Sequence, residues 1–396
     1  MNVWFEKLAG MIRARRGLLG AAMLAAPLLL SACSLFREDT RPKMAQLQEL
    51  KESVPVRTAW TAKVGAAGES LLSPAMVGNA VYAAARDGTV LRLDAGNGQE
   101  VWRRATRQTI SGGVGASGDL VAVGTTEGDV LGVEAETGEI RWRSHVSSEV
   151  LAPPVVTGDL VVVRCSDSRI FALDARDGKR RWVYQRAMPT LTVRSPAGLV
   201  VSGQVVFAGF AGGRLVAVAL SNGALKWEAA VALPRGATEL ERVADVVGLP
   251  WIFEREACAV AYQGRLACFD SGNGQPLWSR ELSSLTGVSA DARYVFASDD
   301  RGAVHALDRS NGTSLWKQDR LFLRQVTVPL PLGRDIVVGD LQGYIHVLSR
   351  ESGQFVGRIE TDGSPVISPM VPWSASNGWL AQTRNGNVYA LALGNP

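Results

Sequence analysis

The stretch GTVLRLDAGNGQEVW, residues 88–102, decides the fold, because near copies of it recur along the chain. In this copy a turn glycine is followed six residues later by an acidic residue, ten later by a second glycine and fourteen later by a tryptophan. Residues 302–316, GAVHALDRSNGTSLW, keep the same frame. A spacing of about 40 residues between tryptophans indicates one supersecondary unit that is repeated. The recurring tryptophans are Trp60, Trp102, Trp142, Trp182, Trp227, Trp278 and Trp316.

Each copy has the pattern of short buried strands joined by turns. Apolar runs such as residues 80–83 and 160–163 precede every phrase, which gives four strands per copy. Asn-Gly and Asp-Gly pairs between the strands supply the positive φ that two-residue hairpins require. The repeated acidic residue, Asp94 in the first copy, is interpreted as a turn residue that binds local backbone N–H groups. No interval is long and periodic enough to predict an obligatory core helix.

Eight such copies predict a closed ring. Small sheets that are apolar on both faces must stack on one another, and a ring leaves no end sheet exposed. The seventh copy has Gly357 where tryptophan is due, and the eighth, after Gly386, ends without an outer strand. Residues 57–60 supply a strand and a tryptophan with no copy before them. We therefore predict an all-β, eight-bladed β-propeller of four-stranded antiparallel blades over 56–396, with the N-terminal strand completing the last blade.

Composition and charge limit the range of functions that the chain could have. The chain of 396 residues is 46% apolar, which is ample for one large domain. Its 42 basic and 38 acidic side chains give +4, but four of the basic residues and one acidic residue lie within residues 1–33. The rest is nearly neutral, so no nucleic-acid partner is expected.

The first 33 residues have the pattern of an export signal. A basic stretch and an apolar run over 18–30 lead to Leu30-Ser31-Ala32-Cys33, which resembles the bacterial lipobox. In that interpretation Cys33 is lipidated and becomes the mature N-terminus, and Ser34 after it favours the outer membrane. The alternative is an ordinary signal peptide with an incidental cysteine.

Residues 34–55 are charged and lack a sustained apolar pattern. We expect a flexible tether, whose 22 residues would reach on the order of 70 Å when fully extended. A turn or two of helix over 44–50 would shorten that reach.

Three cysteines remain after Cys33. Export to an oxidising compartment permits a disulfide, and Cys258 and Cys268 flank one hairpin turn. If Gln263 and Gly264 form a two-residue turn, the register places the two thiols on opposite faces, unless a bulge corrects it. Cys165 is predicted to be a buried small residue.

The phrase from Ala172 to Trp182 resembles the repeat of pyrroloquinoline-quinone dehydrogenases, which are eight-bladed propellers. That family's activity depends on a vicinal cysteine pair, calcium ligands and an aspartate base, and this chain has no adjacent cysteines. No cofactor is expected, although a quinone-dependent periplasmic oxidoreductase with unusual ligands stays an alternative. His305 and His346 occupy equivalent places in neighbouring blades, but no third ligand accompanies them, so no metal site is predicted.

Two connections between blades are longer than the others. The segments after Trp182 and Trp227 exceed the spacing found after the other tryptophans, and they flank the same blade, the fourth. Additions to a rigid scaffold usually carry function. Leu191 and Val193 beside Arg194, close to a cluster of carboxylates, have the composition of a protein-binding patch. The alternative is a strand that points Leu191 and Val193 into the blade, with Arg194 paired locally.

The whole chain resembles the BamB family, the propeller lipoproteins of the outer-membrane β-barrel assembly machine. The repeats are unspecific, whereas PTLTVR over 189–194 and TELERVADV over 238–246 are more specific to that family. The resemblance implies a non-catalytic scaffold at the periplasmic face of the outer membrane, not an enzyme. It implies binding to the POTRA domains of BamA, contact with other assembly subunits and help for unfolded outer-membrane proteins.

In that family the two long loops present the docking surface for BamA. By resemblance, Leu191, Val193 and Arg194 contact BamA, with Asp245 on the neighbouring loop. The family has a second acidic residue two positions further on, where this chain has Val247. A general periplasmic interaction module with another partner is the remaining alternative.

Overall fold

Eight four-stranded antiparallel sheets make up the computed structural model, which describes residues 42–50, 54–194, 196–373 and 377–394. The predicted all-β, eight-bladed propeller is confirmed. Residues 44–396 belong to one compact unit. Among the residues described, no helix is long and apolar enough to cross a membrane. The predicted signal, residues 1–33 with the lipidation site Cys33, lies outside them.

The strands are numbered in chain order, and the blades follow the numbering of the repeats. Blades one to four contain β2 (Ala75–Val77), β3 (Ala80–Ala84), β4 (Thr89–Asp94) and β5 (Glu100–Ala105); β6 (Ile110–Ser117), β7 (Leu120–Thr125), β8 (Asp129–Glu134) and β9 (Ile140–His145); β10 (Val155–Thr157), β11 (Leu160–Arg164), β12 (Arg169–Asp174) and β13 (Arg180–Gln185); β14 (Leu199–Ser202), β15 (Val205–Phe210), β16 (Arg214–Ala219) and β17 (Leu225–Ala230). Blades five to eight contain β18 (Val246–Phe253), β19 (Glu256–Ala261), β20 (Arg265–Asp270) and β21 (Pro276–Glu281); β22 (Val288–Ala290), β23 (Tyr294–Ser298), β24 (Val304–Asp308) and β25 (Ser314–Gln318); β26 (Leu330–Leu332), β27 (Asp335–Gly339), β28 (Tyr344–Ser349) and β29 (Phe355–Glu360); β30 (Val371–Trp373), β31 (Gly378–Gln382), β32 (Asn387–Leu393) and β1 (Val56–Lys63).

The ring is closed by the first strand of the chain. Strand β1 pairs antiparallel with β32, with Trp60 opposite Ala390 and Lys63 opposite Asn387, so the eighth sheet has the order β1-β32-β31-β30. The predicted closure by the N-terminal strand is confirmed. It joins the two ends of the propeller directly, which prevents the first and last blades from separating.

The hydrophobic core lies between blades. Eight clusters of buried apolar side chains each combine residues from two neighbouring blades, and together they continue around the ring. In one of them Trp182 of blade three packs with Phe210 and Val216 of blade four. Each blade is therefore apolar on both faces, as its sequence predicted.

The repeated tryptophan and the second turn glycine of each phrase form one contact between neighbouring blades. The indole N–H of Trp102 donates to the carbonyl of Ala135 in the next blade at 3.0 Å. A Cβ added to Gly138 would lie 2.7 Å from the Trp102 ring, so the turn passes directly over the indole. The same donation to the next blade is made by Trp60, Trp142, Trp182, Trp227, Trp278 and Trp316.

The structure explains why blade seven has Gly357 in place of the repeated tryptophan. The N–H of Val54 donates to the carbonyl of Val356, and the N–H of Gly394 donates to the carbonyl of Pro55. A side chain at Gly357 would begin with a Cβ only 2.9 Å from the Val54 carbonyl oxygen. The main chain entering β1 thus occupies the place that a tryptophan fills elsewhere.

The hairpin turns that contain the Asp-Gly and Asn-Gly pairs of the first blade are longer than predicted. Ala85 pairs with Thr89, which leaves a three-residue loop, and the N–H of Asp94 donates to the carbonyl of Gln99, which leaves four residues in the loop. The predicted two-residue hairpins at these Asp-Gly and Asn-Gly pairs were wrong, although Gly98 does have the predicted positive φ, at +71°. The turn interpretation of Asp94 is confirmed, because its carboxylate accepts from the N–H groups of Gly96 and Asn97.

The assumption of a two-residue turn also gave the wrong strand register for Cys258 and Cys268. Val260 pairs with Leu266, so the loop between β19 and β20 is longer than two residues and the register moves by one. Cys258 lies directly opposite Cys268, and the two form a disulfide with their Cα atoms 4.0 Å apart. The predicted placement of these thiols on opposite faces was wrong. Cys165 is a buried free cysteine, as predicted.

The predicted flexible tether, residues 34–55, is in part bound to the propeller. Residues 44–50 contain no helical turn and lie across blades six and seven, where the N–H of Ala45 donates to the carbonyl of Phe322. Leu47 packs against the cluster between those blades. The described part of this segment is therefore shorter in reach than a free chain.

Candidate partner-binding site around blade four

Two connections flank blade four on the same side of the ring. We call residues 186–198, between β13 and β14, loop A, and residues 231–245, between β17 and β18, loop B. Within the described part of both loops there is neither a helix nor a strand. The sequence predicted that these two long connections lie side by side, and a direct contact between them confirms it.

That contact is made by Asp245, at the end of loop B. Its side chain is buried, with 4% of the residue exposed. One carboxylate oxygen accepts from the N–H of Val193 at 2.6 Å, and the other accepts from the N–H of Gly212 at 3.0 Å. A carboxylate that accepts two backbone N–H groups fixes their positions strongly. Asp245 thus holds loop A against blade four and presents little of itself to solvent.

Loop A carries the other three predicted residues at the surface. Leu191 is 42% exposed, Val193 is half-buried and Arg194 is exposed. The Arg194 guanidinium donates to the carboxylate of Glu149 at 2.7 Å. Because Glu149 belongs to the connection between β9 and β10, the ion pair ties the tip of loop A to the preceding connection. The alternative of an inward-pointing strand is not what the structure shows, although Arg194 does have a local partner.

A cleft of about 270 Å³ lies beneath loop A, lined by Arg164, Met188 and Val193 with both carboxylates of the site. Arg164 donates to the carbonyl of Ala197 at 2.6 Å, and its guanidinium lies 5.1 Å from the centre of the Phe210 ring. Burial lowers the pKa of Arg164 to about 10, so it stays cationic at neutral pH. The sequence analysis missed this arginine, because its position at the end of a blade strand has no distinguishing local pattern.

Loop B presents an apolar residue that the sequence analysis did not single out. The carboxylate of Glu241 accepts from the N–H groups of Ala237 and Thr238, and the Thr238 hydroxyl accepts from the N–H of Glu241. This reciprocal arrangement is a capping box. It closes a tight turn that leaves Leu240 72% exposed. The Thr-x-x-Glu spacing at 238–241 was the available signal.

The exposed apolar side chains of the two loops are Met188, Leu191, Leu233 and Leu240. They accompany cationic Arg194 and the acidic residues of loop B. Apolar anchors surrounded by charged groups are typical of protein-binding surfaces. This arrangement can bind a protein surface.

A cavity of about 510 Å³ lies where the inner strands of the blades meet around the axis of the ring. Its lining is apolar and comes from the first strands of several blades, with Ala75, Val155, Val288 and Leu330 among them. None of the lining residues is acidic or basic. Calcium requires oxygen ligands and usually carboxylates, so the residues of this cavity do not fit the calcium and quinone site of the dehydrogenases.

The two equivalent histidines each have an aspartate partner of their own. His305 pairs with Asp299 and His346 with Asp340, each at 2.9 Å. In the part of the chain that the structure describes, no group of three or more His, Cys, Asp and Glu side chains could hold a metal ion.

A family profile described as outer membrane protein assembly factor BamB matches residues 52–109 and 86–318. The assembly factor BamB of Burkholderia pseudomallei is 42% identical over 371 residues, which cover 93% of this chain and 96% of that protein. The BamB of Pseudomonas aeruginosa is 46% identical over 370 residues, covering 92% and 96%. The chain belongs to the BamB family. The names of these relatives describe an assembly factor and not an enzyme.

Solved structures agree with this assignment. The crystal structure of BamB from Moraxella catarrhalis matches with a TM-score of 0.79 and 30% identity, over 85% of this chain and 100% of that one. A quinohemoprotein alcohol dehydrogenase from Pseudomonas putida matches with a TM-score of 0.68 and 12% identity, over 89% of this chain and 78% of that one. The second likeness concerns the fold alone.

Proposed function

We propose that this member of the BamB family is a non-catalytic scaffold of the outer-membrane β-barrel assembly complex that binds the POTRA domains of BamA through loops A and B. In this proposal Leu191, Val193 and Arg194 contact BamA directly. Asp245 contributes by fixing the backbone of loop A, because both of its carboxylate oxygens already accept N–H groups of this chain.

The link between Val193 and Asp245 is the observation that supports this proposal most. A loop that must bind a partner loses conformational freedom when it does so, and a loop that is already fixed loses less. The 2.6 Å bond to a buried carboxylate fixes Val193 while leaving Leu191 and Arg194 at the surface. Loop A therefore presents an apolar anchor and a forked cation in a defined geometry.

Two further parts of the proposal concern location and clients. Lipidation of Cys33 would attach the chain to the periplasmic face of the outer membrane, with the propeller facing the POTRA domains. Unfolded outer-membrane proteins would be the clients, delivered to the insertion site that the scaffold helps to orient. The membership of the BamB family supports both parts.

Charge reversal at Arg194 tests the proposal. Arg194→Glu places two carboxylates beside each other at Glu149 and removes the cation, so we expect recovery of BamA from detergent-solubilised envelopes to fall at least about tenfold. Arg57→Glu is the matched control, because Arg57 is an exposed arginine of β1 in blade eight, across the ring from blade four. Unchanged thermal melting would show that the variant is folded. Normal recovery of BamA with Arg194→Glu would overturn the proposal.

A further inference from the structure

The N-terminal segment, residues 44–50, is bound by two arginines of blades six and seven. A guanidinium nitrogen of Arg324 donates to the carbonyl of Ala45 at 3.0 Å, and one of Arg358 donates to the carbonyl of Gln48 at 2.9 Å. Leu47 lies between these two contacts and packs into the apolar cluster of the same blades. The Ala45 N–H also donates to the carbonyl of Phe322, and the side-chain oxygen of Gln48 accepts from Arg320 at 3.4 Å.

Both arginines belong to a buried polar cluster beneath the segment. Arg324 donates to the carboxylate of Asp340 at 2.6 Å, and His346 Nε2 lies 2.9 Å from the same oxygen. Arg358 Nε donates to His346 Nδ1 at 3.1 Å. Asp340 and His346 are completely buried, and Arg324 is nearly so. The histidine therefore connects the carboxylate to the arginine that holds Gln48.

The hydrogen bonds define the protonation state of His346. Because Arg358 can only donate, Nδ1 must be an acceptor, and the single ring proton lies on Nε2 and faces Asp340. A second proton on Nδ1 would point a donor at the Arg358 guanidinium and place two cations in contact. Arg358 would have to withdraw, and the carbonyl of Gln48 would lose its donor.

The groups around His346 set the pH at which its ring takes up the second proton. Burial lowers its pKa, and Arg358 and Arg324 lower it further, whereas the hydrogen bond and the charge of Asp340 act in the opposite direction. The centres of the Tyr344 and Phe355 rings lie 6.3 and 5.8 Å from the centre of the His346 ring. His346 is therefore neutral near pH 7 and takes up a proton only on acidification.

We propose that Arg324, Asp340, His346 and Arg358 form a proton-controlled latch for the N-terminal segment, which docks on blades six and seven when His346 is neutral and is released when His346 is protonated. Blade six supplies an internal comparison. His305 has the equivalent position and pairs with Asp299 at 2.9 Å, but its neighbour across the strands is Lys317, and no hydrogen bond joins His305 to residues 44–50.

The consequence for the membrane depends on the proposed function, since it requires the lipid anchor at Cys33. While the segment is docked, about ten residues separate Cys33 from the propeller, with a maximum reach of roughly 35 Å. Release up to Val54 would extend the maximum to roughly 70 Å. Acidification would then increase the distance over which the scaffold can search.

A spin label at Gln46 tests the latch itself, without BamA or a membrane. Gln46 is exposed between Ala45 and Leu47, so Gln46→Cys in the full-length protein reports the mobility of the segment. The parent protein, labelled in parallel, supplies the background from Cys165 and from any Cys33 that lacks lipid. We expect an immobile spectrum near pH 7.5, and a mobile fraction that grows by up to about tenfold per pH unit once His346 titrates.

Three variants identify the residue responsible. His346→Gln keeps an acceptor for Arg358 and a donor for Asp340 without a titrating group, so its spectrum should stay immobile down to about pH 5. His305→Gln should titrate like the parent. Arg358→Gln, at a partly exposed position, should be mobile throughout, and it keeps the test decisive if His346→Gln does not fold.

A parent spectrum that stays immobile to about pH 5 would overturn the latch. So would an unchanged transition in His346→Gln, or an immobile segment in Arg358→Gln. None of these results bears on BamA recovery, so the latch and the proposed function can fail separately.

Discussion

The main-chain N–H of Val193 donates a 2.6 Å hydrogen bond to the carboxylate of Asp245, which joins two loops whose residues stand 52 positions apart in sequence. The other oxygen of that carboxylate accepts from Gly212 in blade four. The geometry of loop A therefore depends on one buried side chain of loop B. In the proposed interface, Leu191 and Arg194 would contact the partner, whereas Asp245 would position them.

Replacing the carboxylate should weaken binding through the loop. Asp245→Asn keeps the volume but turns one acceptor oxygen into a donor that faces an N–H group. We expect a loss of about 1–3 kcal/mol in the free energy of unfolding and about tenfold weaker binding of isolated POTRA domains. Chemical denaturation and titration calorimetry measure the two effects.

Glu239→Gln is the control for charge, because Glu239 is an exposed carboxylate of loop B that lies 3.5 Å from Arg242, three residues on. It removes one negative charge and leaves the Val193 contact intact. If both variants weakened binding equally, long-range charge and not loop geometry would be responsible.

Leu240 should be a binding residue that contributes nothing to folding. Its side chain lies in solvent on the capping-box turn, so Leu240→Ala should leave the free energy of unfolding within about 0.5 kcal/mol of the parent. Loss of an apolar anchor at an interface commonly costs about 1–2 kcal/mol, or roughly tenfold in Kd. Leu277→Ala, in the exposed outer strand of blade five, is the matched control and should bind normally. An equal loss in both variants would contradict a specific role for Leu240.

The contact between turn glycine and tryptophan should dominate the stability of the seven blade interfaces that contain it. In Gly138→Ala the new Cβ would lie 2.7 Å from the Trp102 ring at a φ of +72°. We expect a loss of about 2–4 kcal/mol. Gly158→Ala also has a positive φ, +56°, but nothing lies within 4 Å of its Cβ, so its loss should be near 1 kcal/mol. Thermal or chemical unfolding compares them, and equal losses would show that backbone conformation alone explains the glycines.

Reduction of the Cys258–Cys268 disulfide should destabilise the propeller modestly. The bridge closes a loop of ten residues in sequence separation, for which chain entropy predicts about 2–3 kcal/mol. Unfolding is best compared with and without reductant in a Cys165→Ala background, which removes the other buried thiol. Identical unfolding curves would mean that the bridge adds no stability in solution.

The eight-bladed ring could be predicted from sequence because the same short pattern of turn glycines and tryptophan recurs along the chain. The distances from Gly88 to Trp102 recur in other copies, and the unpaired strand at Trp60 matches the strand missing after Gly386. Register was harder to predict. The turn before Cys268 contains one more residue than assumed, and a shift of one residue moves every side chain of a strand to the other face.

The candidate site could be predicted only in part. Loop length and the residues at 191–194 located the surface, because long additions interrupt a constant repeat. The burial of Asp245 could not be predicted, since an aspartate before a strand reads the same whether it accepts N–H groups or faces solvent. The docking of Ala45 also lacked a local signal, because its partner Phe322 is distant in sequence and accepts through its backbone.

Site-specific photo-crosslinking in intact envelopes tests the central claim most directly. A photoreactive residue at Leu191 in loop A is compared with one at Leu315 in the outer strand of blade six, since both leucines are 42% exposed. The account predicts a crosslink to BamA from position 191 and none from position 315. Crosslinking from position 315 with none from position 191 would contradict it.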